Sequence, residues 1–242
     1  MAKASTLSRT YAAFRLQFLT PNLVIVPGIV FVFGWAVALG IFFWVDGVAT
    51  DRDPVAEPMF AGGSQAPLWC LAFMAAYVGS HTFPFSQALS FSRKVFLAGT
   101  LAAFAAVSVG FGVAFVLAAW TEELTNGFGI HGYNFAIPYL TSQGLGVTGF
   151  VAAAACWFVM LLGFTIVMLY KRLGLTNTWL VIIAVIVVIL AAVLLTVTNV
   201  GWSGLWGWFG GLTPMALLGW LMVPAVVLTL ASYALIRRAS PV

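Results

Sequence analysis

The side chains able to do chemistry are few in this chain, and most are set apart from one another. One imidazole, His81, falls inside a long apolar run beside Ser80 and Thr82. A single histidine is able to shuttle a proton; the neighbouring hydroxyls favour reading it as a hydrogen-bonded packing residue. A second, His131, lies near Tyr133 and Asn134 in a polar connection and is too isolated to complete a catalytic set. No paired carboxylates, His-x-x-x-His or Glu-x-x-His pattern occurs within an apolar run, so acid–base and metal chemistry lack their groups there. Cys70 and Cys156 also fall inside apolar runs and read as small packing residues, with no disulfide framework implied. The three lysines complete no Gly-x-x-x-x-Gly-Lys-[Ser/Thr] loop, so nucleotide phosphates have no cradle. Ion-coupled transport normally keeps an ionised group within a span. None is found here, so any active process needs energy from outside the chain.

The elements that carry these residues follow from composition. The chain has 242 residues, 63% hydrophobic and only 7% charged, far from the roughly 25% charged of soluble domains. Apolar runs of about 18 or more residues read as membrane helices. Six are drawn: 22–44, 67–89, 95–120, 147–170, 178–198 and 214–236. The expected fold is an all-α integral membrane domain occupying residues 1–242, with too little chain left for a soluble domain. Ala36-Val37-Ala38 has the form of a cleavage site, but the run continues to Trp44, so a retained span is expected.

The charges are sorted by sign. Lys3, Arg9, Arg15, Arg93, Lys94, Lys171, Arg172, Arg237 and Arg238 border one side of the six runs; Asp46, Asp51, Asp53, Glu57, Glu122 and Glu123 border the other, joined by Arg52. Lys and Arg are held on the cytoplasmic face, so both termini are expected there. The net charge of +4 is this asymmetry, and nucleic acid is not an expected partner.

Residues 5–19 read as an interfacial amphipathic helix at the lipid surface. Leu7, Tyr11, Phe14 and Phe18 form its apolar stripe, Arg9 points away and Arg15 flanks it. Ser5 or Thr6 can cap its start, and Thr20-Pro21 ends it. Pro27-Gly28 predicts a kink in the first run. The second run turns polar over Ser80, His81, Thr82, Pro84, Ser86 and Gln87, which predicts a face toward protein or a cavity. Small residues four apart (Gly99/Ala103, Ala106/Gly110, Gly149/Ala153, Ala152/Cys156) predict close packing of the third and fourth runs. The fifth run ends in Thr196, Thr198 and Asn199. A Trp- and Gly-rich connection, 201–211, follows it and reads as a dip or surface loop at the outer headgroups. The outer connection 121–146 is expected to form at most short helices lying on the bundle.

Between the second and third runs the chain reads Ser90-Phe91-Ser92-Arg93-Lys94-Val95-Phe96-Leu97-Ala98-Gly99-Thr100. This resembles the Gly-x-Ser-Arg-[Arg/Lys]-x-Phe-x-x-Gly-Thr run of membrane subunits of bacterial ABC-2 type transporters. Ser92, Arg93, Lys94, Phe96, Gly99 and Thr100 match; Ser90 stands where that family often has Gly, which predicts a less tight turn. The resemblance implies a permease subunit of an ATP-driven exporter in the bacterial inner (cytoplasmic) membrane, not itself an enzyme. Its partners would be an ABC ATPase subunit, which carries ATP and Mg, and a second copy or a related permease. The implied roles are coupling to the ATPase for Ser90, Phe91, Ser92, Arg93 and Lys94, with the interfacial helix also touching that subunit. The resemblance further implies a path lined by spans 2 and 5. Their polar residues are Ser80, His81, Thr82, Ser86 and Gln87, with Thr196, Thr198 and Asn199. Such a path suits an amphipathic or lipophilic substrate. The competing reading is a membrane substrate-binding, immunity or scaffold protein without ATP coupling.

Overall fold

The computed structural model describes residues 6–19, 22–49 and 52–237. Ser5, the Thr20-Pro21 stop signal, Lys3, Asp51 and Arg238 lie outside the described residues. What is described is almost wholly α-helical. Helix α1 spans Thr6–Leu16, α2 Asn22–Val48 and α3 Gln65–Tyr77. A π-helical turn, Val78–Thr82, joins α3 to α4, Phe83–Ala88. Helix α5 runs Arg93–Leu124, α6 Pro138–Thr141, α7 Leu145–Gly210 and α8 Pro214–Ile236. Four helices (α2, α5, α7 and α8) are long and apolar enough to cross a membrane.

The 66-residue α7 is not one rod. Its backbone leaves helical geometry at Gly174 (φ 76°, ψ 176°) and Gly201 (φ 78°, ψ 166°), conformations open to glycine but strained for other residues. Three helical stretches result: 145–173, 175–200 and 202–210. The breaks fall beside the boundaries read from sequence, after Tyr170 and after Thr198.

Helix α5 is the centre of the bundle, buried along its length from Val95 to Glu122. The 145–173 stretch packs beside it, α3 packs on α7 and α2, and α8 packs on α7. Phe83, Phe96, Phe104, Phe164, Leu71 and Met160 are fully enclosed in this core. Helix α2 buries a single stripe, Leu23, Pro27, Phe31, Ala38 and Phe42, and Pro27 is carried within the helix. None of residues 179–200 is buried, although the stretch is the most apolar in the chain.

The small-residue rows work differently from the expected pairing. α5 and α7 do meet closely, but through Gly112, where an added Cβ would lie 2.8 Å from the Gly149 carbonyl and 2.9 Å from Ala153 Cβ. Gly99 faces α1 instead: a Cβ there would sit 2.6 Å from Ala13 Cβ. Gly110 meets nothing within 4 Å. Spacing picks out rows of small residues; which row meets which helix depends on the rotation of the helix, which spacing does not report.

At the end of the bundle opposite α1, two connections are tied into a cap. Strands β1 (Met59–Phe60) and β2 (Gly132–Tyr133) pair in parallel, Met59 with Gly132 and Phe60 with Tyr133. The backbone of 126–131 is largely left-handed, with positive φ at Asn126, Gly127, Phe128, Gly129 and His131. Arg52 holds this cap to α2. Its Nη1 pairs with Asp46 Oδ1 at 2.7 Å, and its Nη2 donates to the carbonyls of Glu57 (2.6 Å) and Ile130 (3.3 Å). Glu122 fixes the cap from the other side. Its fully buried carboxylate accepts the backbone N–H groups of Asn134, Phe135 and Ala136 on Oε2, at 3.0, 2.8 and 2.9 Å, and the Trp35 indole N–H on Oε1 at 2.9 Å.

Candidate functional site

The residues singled out from sequence gather most closely at the end of the bundle that carries α1. That helix lies on the start of α5. Ala13 is seated on Gly99, and Gln17, almost fully buried, donates from Nε2 to Thr100 Oγ1 at 3.1 Å. The contact face is therefore Ala13, Leu16 and Gln17, all buried, while Leu7 and Tyr11 stay exposed and Phe14 and Phe18 half-buried. Only the start of the apolar stripe, Leu7 and Tyr11, is turned away from the bundle; Phe18 at its end packs against the core. Phe14 lies between its neighbours, stacked on Tyr11 with ring centroids 6.3 Å apart and tilted against Phe18 at 5.0 Å. Arg9 and Arg15 are both exposed.

Opposite α1 stands the turn between α4 and α5. Phe91 N–H donates to the Ser86 carbonyl (3.1 Å), Ser90 N–H to Gln87 O (3.0 Å), and Gln87 Nε2 to Phe91 O (3.3 Å). Ser92 caps α5, its Oγ accepting from Val95 N–H at 3.3 Å. Ser90 has φ 61°. The turn is thus as sharp as one built on glycine: Ser90 adopts the left-handed conformation that glycine takes without penalty, and no loosening follows from the serine.

Between α1 and this turn run two adjoining cavities. One, of about 290 Å³, is lined by Ser8, Arg9, Ala12, Leu89, Ser90 and Phe91. The other, of about 530 Å³, is bounded by Arg15, Leu16, Phe18, Leu19, Leu89 and Phe91, with Ala12 shared. Of the residues singled out from sequence, Ser90 and Phe91 on the turn and Arg9, Arg15 and Phe18 on or just after α1 line this groove, with Phe91 common to both cavities; Leu7, Tyr11, Phe14, Ser92, Arg93 and Lys94 do not line it. The two basic residues of the turn separate. Lys94 is exposed. Arg93 bends back to the end of α8, its Nη1 donating to the carbonyls of Ile236 (3.2 Å) and Arg237 (2.7 Å). A cation at the C-terminal end of a helix satisfies orphan carbonyls and meets the negative end of its dipole.

No protein-family model, curated protein or solved structure matches this chain.

The polar part of the second apolar run begins in a π-helical turn placed just before Pro84. Phe83 N–H reaches the Val78 carbonyl five residues back. Proline lacks an N–H and its ring crowds the carbonyl four residues earlier, so one widened turn relieves the helix; such bulges recur at functional sites. Within it, Ser80 Oγ and His81 Nδ1 are hydrogen-bonded at 2.7 Å, and the His81 ring stacks on Tyr77 with centroids 4.2 Å apart. His81 is hydrogen-bonded, as expected, yet exposed. With Thr82, Tyr77, Phe85, Leu16 and Leu19 it lines a cavity of about 180 Å³. Ser86 and Gln87 do not share that space. Ser86 is buried, donating to Phe83 O at 2.6 Å, and Gln87 braces the turn. Thr196, Thr198 and Asn199 are exposed and return their hydrogen bonds to Ala192 and Leu195 of their own helix. That cavity contains none of them.

Several residues that shape the site carry no motif. Gln17 anchors α1, and Ala12, Leu16, Leu19 and Leu89 wall the groove. Size and polarity do not single them out: Ala13 sits beside Ala12, Ser8 and Thr10 in α1, and Gln17 follows the last residue of that helix.

Proposed function

We propose that this chain is the membrane permease subunit of an ATP-driven exporter of the ABC-2 type in the bacterial cytoplasmic membrane. A separate ABC ATPase binds ATP and Mg and docks on the groove between α1 and the 89–92 turn. The observation that carries the reading is this groove. The two elements for which the sequence resemblance implies ATPase contact are far apart in the chain, yet they wall the same pair of cavities with Phe91 between them. A half-buried aromatic anchor flanked by Arg9 and Lys94 has the composition of a small docking surface with few dominant residues.

In this reading the six spans are α2, the helical run 65–88, α5, 145–173, 175–200 and α8. The charge sorting supports both termini on the cytoplasmic side. The permease works with a second copy or a related permease, and its path takes an amphipathic or lipophilic substrate along the face that carries Ser80, His81 and Thr82. Arg93 serves the coupling from within, as the tie between the docking turn and α8, while Lys94 and Phe91 meet the partner.

Copurification tests the reading. Phe91→Ala with Lys94→Glu is expected to release the ATPase on size exclusion while the helical circular dichroism stays unchanged. An ATPase complex that survives both changes, or a chain that retains no ATPase in membranes of its own host, overturns it in favour of a binding or scaffold protein.

A further inference from the structure

A fourth cavity opens between α2 and α5. It measures about 510 Å³ and is lined by Phe18, Val24, Gly28, Phe31 and Val32 on one side and by residues from Ala106 to Ala114 on the other. Its walls are almost wholly apolar. Ala106, Gly110 and Ala114 present a row of small residues to it, and a Cβ at either Gly28 or Gly110 would meet nothing within 4 Å. The two helices hold a slot open that neither fills. In a bilayer such a gap forfeits dispersion contacts along its whole lining unless a tail enters it, and its volume falls within the range of ~300–1,000 Å³ typical of ligand sites.

The slot does not stand alone. Phe18 lines it and also lines the more polar cavity that holds Arg15, so one ring is the common wall of an apolar chamber and a basic one. Arg15 is exposed and has no acidic partner among the described residues; the acids of the sequence border the opposite ends of the apolar runs. A guanidinium presents a planar fork that matches a phosphate in two hydrogen bonds. Arg9, on the adjoining cavity, adds a second positive charge that disfavours a headgroup carrying its own ammonium.

We propose that this pair of cavities binds one anionic phospholipid of the cytoplasmic leaflet, with its phosphate at Arg15 and an acyl chain past Phe18 in the α2–α5 slot. The lipid takes the Arg15 cavity and the slot behind Phe18, which leaves the adjoining cavity at Ser8, Arg9, Ser90 and Phe91 to the ATPase docking proposed above.

The test uses the full chain in detergent by native mass spectrometry, with phosphatidylglycerol or phosphatidylcholine added. One phosphatidylglycerol per chain is expected to be retained, about tenfold tighter than phosphatidylcholine, a difference of ~1.4 kcal/mol. Gly110→Leu fills the slot and improves helix propensity, so it keeps the fold, checked by circular dichroism, and is expected to lose the lipid. Arg15→Gln is expected to abolish the preference for phosphatidylglycerol and keep residual binding of both lipids. Equal retention of the two lipids by the unaltered chain, or full retention by Gly110→Leu, overturns the proposal. So does displacement of the lipid by inorganic phosphate at equal concentration, which would mean a free-phosphate site. Because no ATPase enters the experiment, its failure leaves the permease reading to its own test.

Discussion

Replacing Glu122 by Gln exposes how the cap is held. The carboxylate collects four N–H donors, three from the backbone on Oε2 and the Trp35 indole on Oε1. A glutamine can keep its oxygen toward Asn134, Phe135 and Ala136, but its NH₂ group then faces the Trp35 N–H, donor against donor. The reverse orientation sets NH₂ against three donors and is worse. Losing one hydrogen bond to a charged group costs about 1.5–3 kcal/mol, and stranding a buried donor about 1–3 more. A total near ~3 kcal/mol is expected, which at ~1.4 kcal/mol per decade is roughly a hundredfold. The readout is hydrogen exchange at the amides of residues 134–136, which should exchange faster by that factor. Trp35→Phe alone leaves Oε1 unpaired and should cost about 1.5–3 kcal/mol. In the double variant the donor–donor clash disappears, so the combined loss should fall short of the sum by about 1–2 kcal/mol, as contacting residues couple. Unchanged exchange in Glu122→Gln would refute the carboxylate as acceptor of these amides. Strict additivity would refute the Trp35 contact.

Two further outcomes follow from the α1 end of the bundle. Ser90→Gly should stabilise the fold: relieving a left-handed serine gains about 1–2 kcal/mol, partly offset by about 0.5–1 kcal/mol from the freer unfolded glycine. A raised thermal midpoint in micelles checks it; a lowered one contradicts the turn geometry. Arg93→Gln should loosen the end of α8. Faster exchange of the amides of residues 232–236, by about tenfold for ~1–2 kcal/mol of lost capping and dipole interaction, is the expected result, with the exchange of α1 unaffected.

The long helices were legible because apolar run length is a strong signal, and the breaks at Gly174 and Gly201 fall in the gaps between runs. The stripe Leu7, Tyr11, Phe14, Phe18 was legible as an apolar face, but not which face touches protein. In a bilayer apolar does not mean inside: lipid is as apolar as leucine, so helices meet through small and hydrogen-bonding residues. Ala13 and Gln17, not the aromatics, seat α1 on α5 for that reason. The cap was hidden for a different cause. The donors that hold Glu122 are backbone N–H groups 12 to 14 residues downstream, and a backbone donor leaves no mark in side-chain type. Arg93 was legible as a charge beside a turn; its carbonyl partners lie 143 and 144 residues away.

These distant partners give the charge sorting a second meaning. On the α1 side a base, Arg93, binds the carbonyls that end α8; on the far side an acid, Glu122, binds three backbone N–H groups, and the lone base there, Arg52, binds the carbonyls of Glu57 and Ile130. The sorted charges satisfy backbone groups left open where regular structure stops, the positions at which a membrane protein can least tolerate them unpaired. Arg93 and Glu122 stand near opposite ends of the same helix, α5, which runs without a break for 32 residues, about 48 Å at ~1.5 Å per residue. Glu122 sits at the end of that helix where the dipole disfavours a negative charge by about 0.3–1 kcal/mol, so its place is set by the cap and not by the helix. In the proposed permease a push on the 89–92 turn therefore has a stiff route: Arg93 carries it sideways to α8, and α5 carries it lengthwise to the carboxylate on which the outer connection hangs.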